Sequence, residues 1–210
     1  MIKLRSYRSI LMGLVGAFVL MGCQNTESNG QANESQTNQQ AEVVTLTEYS
    51  DFQCPACASF YPLVEKLKET YGDRLEVNYR YFPLNSHQYA MLAARAAEAA
   101  RNQGEFDAMH DMLFQNQQQW SSSSNPQPMF VNYAREIGLD INQFKEDLNA
   151  AATQQTVMEQ KREGQDRGVT GTPTFFINGE EMVSLPRSYE QFKALMDIYM
   201  NEAKQAANGN

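Results

Sequence analysis

Two of the three cysteines in this 210-residue chain stand three apart, in Cys54-Pro55-Ala56-Cys57. Two thiols at that spacing can form a structural staple, half of a metal clip, or a redox couple. A staple usually closes a longer loop, because a loop this short constrains the unfolded chain little. A structural zinc site needs four ligands, and the only histidines, His87 and His110, fall in a segment that reads as helical. Thiol–disulfide exchange needs only the two sulfurs and a compartment in which disulfides persist. No metal is expected at this pair.

The elements around the pair give it a reason to be reactive. "EVVTLTEYS" is rich in apolar and β-branched residues and predicts a buried strand over 43–50. From Pro55 to about Tyr71, Leu63, Val64 and Leu67 recur at helical spacing, proline suits the first helical position, and Gly72 stops the run. Cys54 then sits at the helix N-terminus, where unpaired backbone N–H groups favour an anion. Its thiolate is expected to be stabilised, with Cys54 the exposed attacking sulfur and Cys57, one turn deeper, the buried resolving one.

The third cysteine belongs to a different feature. Lys3, Arg5 and Arg8 precede the apolar stretch "ILMGLVGAFVLM" at 10–21, which is too short to span a bilayer as a helix of ~20 residues. Basic residues before a short apolar run predict an export signal over 1–22. The run ends in Leu20-Met21-Gly22-Cys23, which resembles a bacterial lipobox and implies lipidation of Cys23. Cleavage there would leave Cys54 and Cys57 as the only thiols. It would also take the net charge from −8 to −11, since three basic residues leave with the signal. Residues 23–41 carry no aromatic or large aliphatic side chain and predict a disordered tether. So acidic a chain lacks the clustered positive charge that nucleic acid requires. The expected location is outside the cytoplasm, anchored to a membrane by the lipid.

Downstream, Leu75, Val77, Tyr79 and Tyr81 alternate as in a strand. The region 86–165 then reads as all-helical. "SHQYAMLAARAAEAARNQG" predicts one helix with Ser86 as N-cap and Gly104 as stop, and "EFDAMHDMLFQNQQQW" predicts a second. After the loop "SSSSNPQP", "MFVNYAREIG", "INQFKEDLNAA" and "TQQTVMEQKREGQDRG" continue the helical pattern. Strand character returns at "GTPTFFING", 171–179, with Asn178-Gly179 as a hairpin turn into "EMVSL", and a last helix is predicted from Ser188 to Ala206.

A Cys-Pro-Ala-Cys pair at a strand-to-helix turn, a helical insert, and Gly171-Thr172-Pro173-Thr174-Phe175 opening a hairpin resemble a DsbA-type thioredoxin-fold protein. "FPLNSHQYAMLAARAAEAA" and "FDAMHDMLF" read like the insert of that family. The likeness covers residues 43 to about 200. It implies an α/β thioredoxin fold with an inserted all-helical subdomain, the thioredoxin parts at 42–85 and 166–207 flanking an insert at 86–165. It also implies roles. Glu48 matches the family's buried acid, a proton relay for Cys57. Thr172 and Pro173 resemble the cis-proline loop that faces the cysteines and leaves backbone open to an extended client. With Pro55 and Ala56 they are candidate substrate contacts. Ala56 departs from the best-known pattern, which has histidine there, and a weaker oxidant is therefore expected.

The implied activity is formation of disulfides in reduced or unfolded exported proteins. The enzyme would act as a monomer with no cofactor beyond its own Cys54–Cys57 couple, re-oxidised by a quinone-linked membrane partner. A reductase or isomerase could use the same dithiol, although the polar 23–41 segment offers no dimerisation domain. A non-catalytic peptide-binding surface lipoprotein would not need the thiols. His87 and His110 read as packing or surface residues, and Phe106, Met109, Met112 and Phe114 as mostly core.

Overall fold

The computed structural model describes residues 43–208; the export segment, Cys23 and the tether lie outside the described residues. Strand β1 (Val44–Ser50) is the middle of the architecture. It pairs in parallel with β2 (Leu75–Tyr81) and antiparallel with β3 (Thr174–Ile177), and β4 (Glu180–Glu181) completes the order β2-β1-β3-β4. The parallel β1–β2 pair requires a crossover, which is helix α1 (Pro55–Tyr71).

Alternation along the strands sorts the side chains onto two faces. Leu46, Glu48, Val77, Tyr79, Phe175 and Ile177 share one face by register. That face is covered by α1 and by the last helix, α8 (Tyr189–Asn208), which meet it through Phe60 and Phe192, each within 5.4 Å of the Phe175 ring centroid. On the opposite face Tyr49, Phe82, Val169 and Phe176 form a smaller apolar cluster.

The insert runs through six helices: α2 (Ala90–Arg101), α3 (Phe106–Gln115), α4 (Gln117–Ser121), α5 (Gln127–Glu136), α6 (Ile141–Asn149) and α7 (Ala151–Asp166). The alanine-rich α2 is buried on most of its surface, which lets neighbouring helices approach its backbone closely. Helix α7 returns to the sheet. Its Gly164 lies so close to Phe82 and Tyr49 that a Cβ there would stand 2.9 Å from their ring carbons. Tyr49 Oη donates to Glu163 Oε1 (2.9 Å), and the Tyr81 amide donates to Gln160 Oε1 (2.9 Å).

Four element expectations are corrected. Ser86 is not an N-cap; helix α2 starts at Ala90, because residues 86–89 form a turn tied to the cysteine loop. The single helix expected across "EFDAMHDMLFQNQQQW" breaks at Asn116, whose side chain donates back to the Met112 carbonyl. Residues Gln127 and Pro128, read as loop, begin α5. The strand expected over "EMVSL" shrinks to Glu180–Glu181, and Val183, 98% exposed, buries almost nothing that would reward further pairing.

Candidate active site

Cys54 is the N-cap of α1, with extended backbone angles (φ −73°, ψ 121°) and Pro55 at the first helical position. Both cysteines are free thiols. Cys57 is fully buried, as expected. Cys54 is only 6% exposed, which corrects the expectation of an open thiol: the residue is buried while its neighbours Pro55 and Ala56 are exposed. From 118 residues away, Thr172 comes against the pair, its carbonyl accepting a hydrogen bond from Cys54 Sγ at 3.5 Å. The Thr172–Pro173 peptide is cis, as the resemblance implied, and Pro173 is buried.

The two thiols are made unequal by their surroundings. A hydrogen bond from the Cys57 thiol, helped by Thr172 and by the Cys57 and Ala56 amides, brings Cys54 down to about 5. Thr172 Oγ1 is itself buried and has no partner among the described residues, so its hydroxyl can turn to a thiolate. Burial above all, then donation to Cys54 and the nearby Glu48 charge, pushes Cys57 far above the ordinary thiol range.

Glu48 lies on β1, facing the same side as Tyr79 and Phe175, and is 2% exposed. Burial raises its carboxyl to about 7, with Ser50 tempering the rise and the Glu65 and Cys54 charges adding to it. No side-chain hydrogen bond closes between Glu48 and Ser50: Glu48 Oε1 and Ser50 Oγ both lack a partner among the described residues. A carboxyl that titrates near neutrality can give a proton to a departing Cys57 thiolate and take one back.

Three residues hold the cysteine loop in place: Asp51 and Gln117, which the sequence did not single out, and His87, which it read as a packing or surface residue. Asp51, 2% exposed, accepts from the Gln53 amide through Oδ1 (2.7 Å) and from the Leu84 amide and His87 Nδ1 through Oδ2 (2.8 Å each). His87, expected on a helix, lies in the 86–89 turn and ties that turn to the cysteine loop. Gln117 of α4 is buried and donates to the Phe52 and Cys54 carbonyls at 2.7 and 2.9 Å. The local Asp51–Gln53 turn could have been read from an aspartate followed by an unpaired amide. Gln117 had no local signal at all.

His110 is a core residue, 3% exposed, with its ring 4.2 Å from that of Tyr79. It brings a donor atom within 4.8 Å of donors from Glu65 and Asp111. Lys68 Nζ and Tyr79 Oη already donate to Glu65 Oε1, each at 3.0 Å, so an ammonium competes with any cation there and no metal is assigned.

A thioredoxin-type sheet bearing such an unequal dithiol at the start of its first helix is the arrangement of a thioredoxin-like oxidoreductase. The chain belongs to the thioredoxin family, whose pattern it matches over residues 36–198. Among solved structures it is similar to a thioredoxin-like oxidoreductase from Silicibacter pomeroyi (26% identity, TM-score 0.62, covering 77% of this chain and 88% of that one). It shares its fold with BdbD from Bacillus subtilis (19%, TM-score 0.67, 75% and 88%) and with alpha-DsbA1 from Wolbachia pipientis (19%, TM-score 0.63, 79% and 88%). A curated relative, the Na(+)/H(+) antiporter NhaA 3 of Salinispora tropica, is 37% identical over 137 residues, 65% of this chain. The chain spans about a fifth (20%) of that relative's length, and antiport is named for that whole protein.

Proposed function

We propose that this protein forms disulfide bonds in exported proteins, from a membrane-anchored position outside the cytoplasm. The observation that carries the reading is the inequality of the two thiols: Cys54 is held near 5, whereas burial keeps Cys57 protonated. A client thiolate attacks Cys54 Sγ of the Cys54–Cys57 disulfide, and Cys57 leaves as a thiolate that takes the Glu48 proton. A second client thiolate then attacks the client sulfur of the mixed disulfide. Cys54 leaves as a stabilised thiolate, the client has lost two electrons, and the enzyme dithiol has gained them. A low-pKa leaving group speeds this second step and favours the reduced enzyme, which is what makes a dithiol oxidising.

The reading needs no metal, flavin or nucleotide. It does need an electron acceptor for the reduced pair, and a quinone-linked membrane partner is the proposed one. The lipobox-like Leu20-Met21-Gly22-Cys23 supports lipid anchoring through Cys23. The test is to equilibrate the domain in glutathione buffers, then follow oxidation of a reduced unfolded protein, with Cys54→Ser as control. Disulfides should appear in the client and not with the control. Efficient insulin reduction without client oxidation would make the protein a reductase instead.

A further inference from the structure

Beside the start of α1 a cleft of about 540 Å³ opens between that helix and the α3–α4 corner. Its walls include Pro55 and Ser59 on one side and Phe114, Gln115, Gln118 and Gln119 on the other. Not one of its lining residues carries a charge, in a chain whose net charge is −8. Residues 115–119 are five consecutive carboxamides, Gln-Asn-Gln-Gln-Gln, and they divide the work between them. Asn116 and Gln117 face inward, on the Met112, Phe52 and Cys54 carbonyls. Gln118 and Gln119 are exposed, and their amide groups make no hydrogen bond among the described residues.

We infer that this cleft, whose walls include neither Thr172 nor Pro173, receives an extended, uncharged segment of the client polypeptide flanking its reactive cysteine. The inference rests on the oxidoreductase reading and deepens it. A carboxamide presents both a donor and an acceptor, so it pairs with a peptide N–H or C=O whatever the client's side chains are. Such pairing suits an enzyme that meets many unfolded sequences. Pro55 and Ala58, with the edge of Phe114, give the segment apolar contact, and a wall without charge matches a segment that carries none. Because Gln117 holds the same corner onto the Cys54 carbonyl, the cleft keeps its position relative to the sulfur.

The experiment compares two reductants of the oxidised protein: a ten-residue uncharged peptide with one cysteine, and dithiothreitol, which is too small to reach the cleft. In the Gln118→Ala/Gln119→Ala variant, the peptide-to-dithiothreitol ratio of kcat/KM should fall about tenfold, the size expected for losing one or two neutral hydrogen bonds, with the change in KM. Gln119→Trp, which fills the cleft, should lower the ratio as well. An unchanged ratio in both variants overturns the inference. Failure of the unaltered protein to exchange with dithiothreitol would instead overturn the oxidoreductase reading, so the two failures are distinct.

Discussion

At the scale of single residues, the site works by making two chemically identical groups different. Cys54 draws on hydrogen bonds from Cys57 and two backbone amides, with the Thr172 hydroxyl free to join them, whereas burial, donation to Cys54 and the Glu48 charge all push Cys57 up. Iodoacetamide should therefore modify the reduced protein at Cys54 alone, with half-maximal rate near pH 5; in Cys54→Ser, the remaining thiol should stay unreactive at neutral pH. Glu48 has the opposite sign. Its carboxyl titrates at about 7 in the fold against 4.5 in an open chain. The folded state is thus favoured in full below pH 4.5 and loses that advantage as pH rises through 7. Glu48→Gln should gain stability over the unaltered protein by up to about 3 kcal/mol across that window in urea titrations, while slowing thiol exchange. A stability difference that is flat with pH would mean that the carboxyl titrates normally. Ala56 is exposed and offers the Cys54 thiolate no side-chain donor. Ala56→His should move the reduction potential at least about 30 mV toward oxidising, measured against glutathione.

At the scale of elements, the insert holds the redox turn as well as covering the sheet. Gln117→Ala would leave the buried Phe52 carbonyl without its donor and should cost about 2 kcal/mol in urea unfolding, with Cys54 reactivity altered. At the far end of the insert, Gly164→Ala should cost about 1–3 kcal/mol, because a Cβ 2.9 Å from the Tyr49 and Phe82 rings must push α7 off the sheet. These two positions also mark what could be read from the chain and what could not. Strand β1, helix α1 and the hairpin at Asn178-Gly179 were legible because local pattern and turn chemistry decide them. Cys54 and Cys57 were legible from their spacing and their place at a helix start, and Glu48 and Pro173 through a family resemblance. Gln117 and the Asp51–His87 link were not, since their partners lie 36 to 65 residues away and a glutamine looks alike in a loop and in a core. Ser86 misled because a residue suited to capping was drawn into a different hydrogen-bonded turn. The break at Asn116 was hidden because five carboxamides in a row fit a helix as well as a corner.

At the scale of the whole molecule, the proposed anchor and the dithiol lie in separate stretches, Cys23 and the residues from 43 onward. Cys23→Ser should therefore move the protein from the membrane fraction to the soluble one, read by fractionation, while the glutathione equilibrium of its dithiol stays the same. Helix α4 and the Thr172 loop also set a timetable. Exported N-terminus first, as proposed, the chain would deliver Cys54 and Cys57 long before residue 117, and longer still before residue 172. Until helix α1 has formed and the rest of the fold has buried Cys57, the two sulfurs would be ordinary thiols titrating near ~8.5, mostly protonated and slow to react with the other unfolded chains around them. The proposed chemical activity would thus be a late product of the protein's own folding, and a half-emerged copy a poor partner for unwanted cross-links.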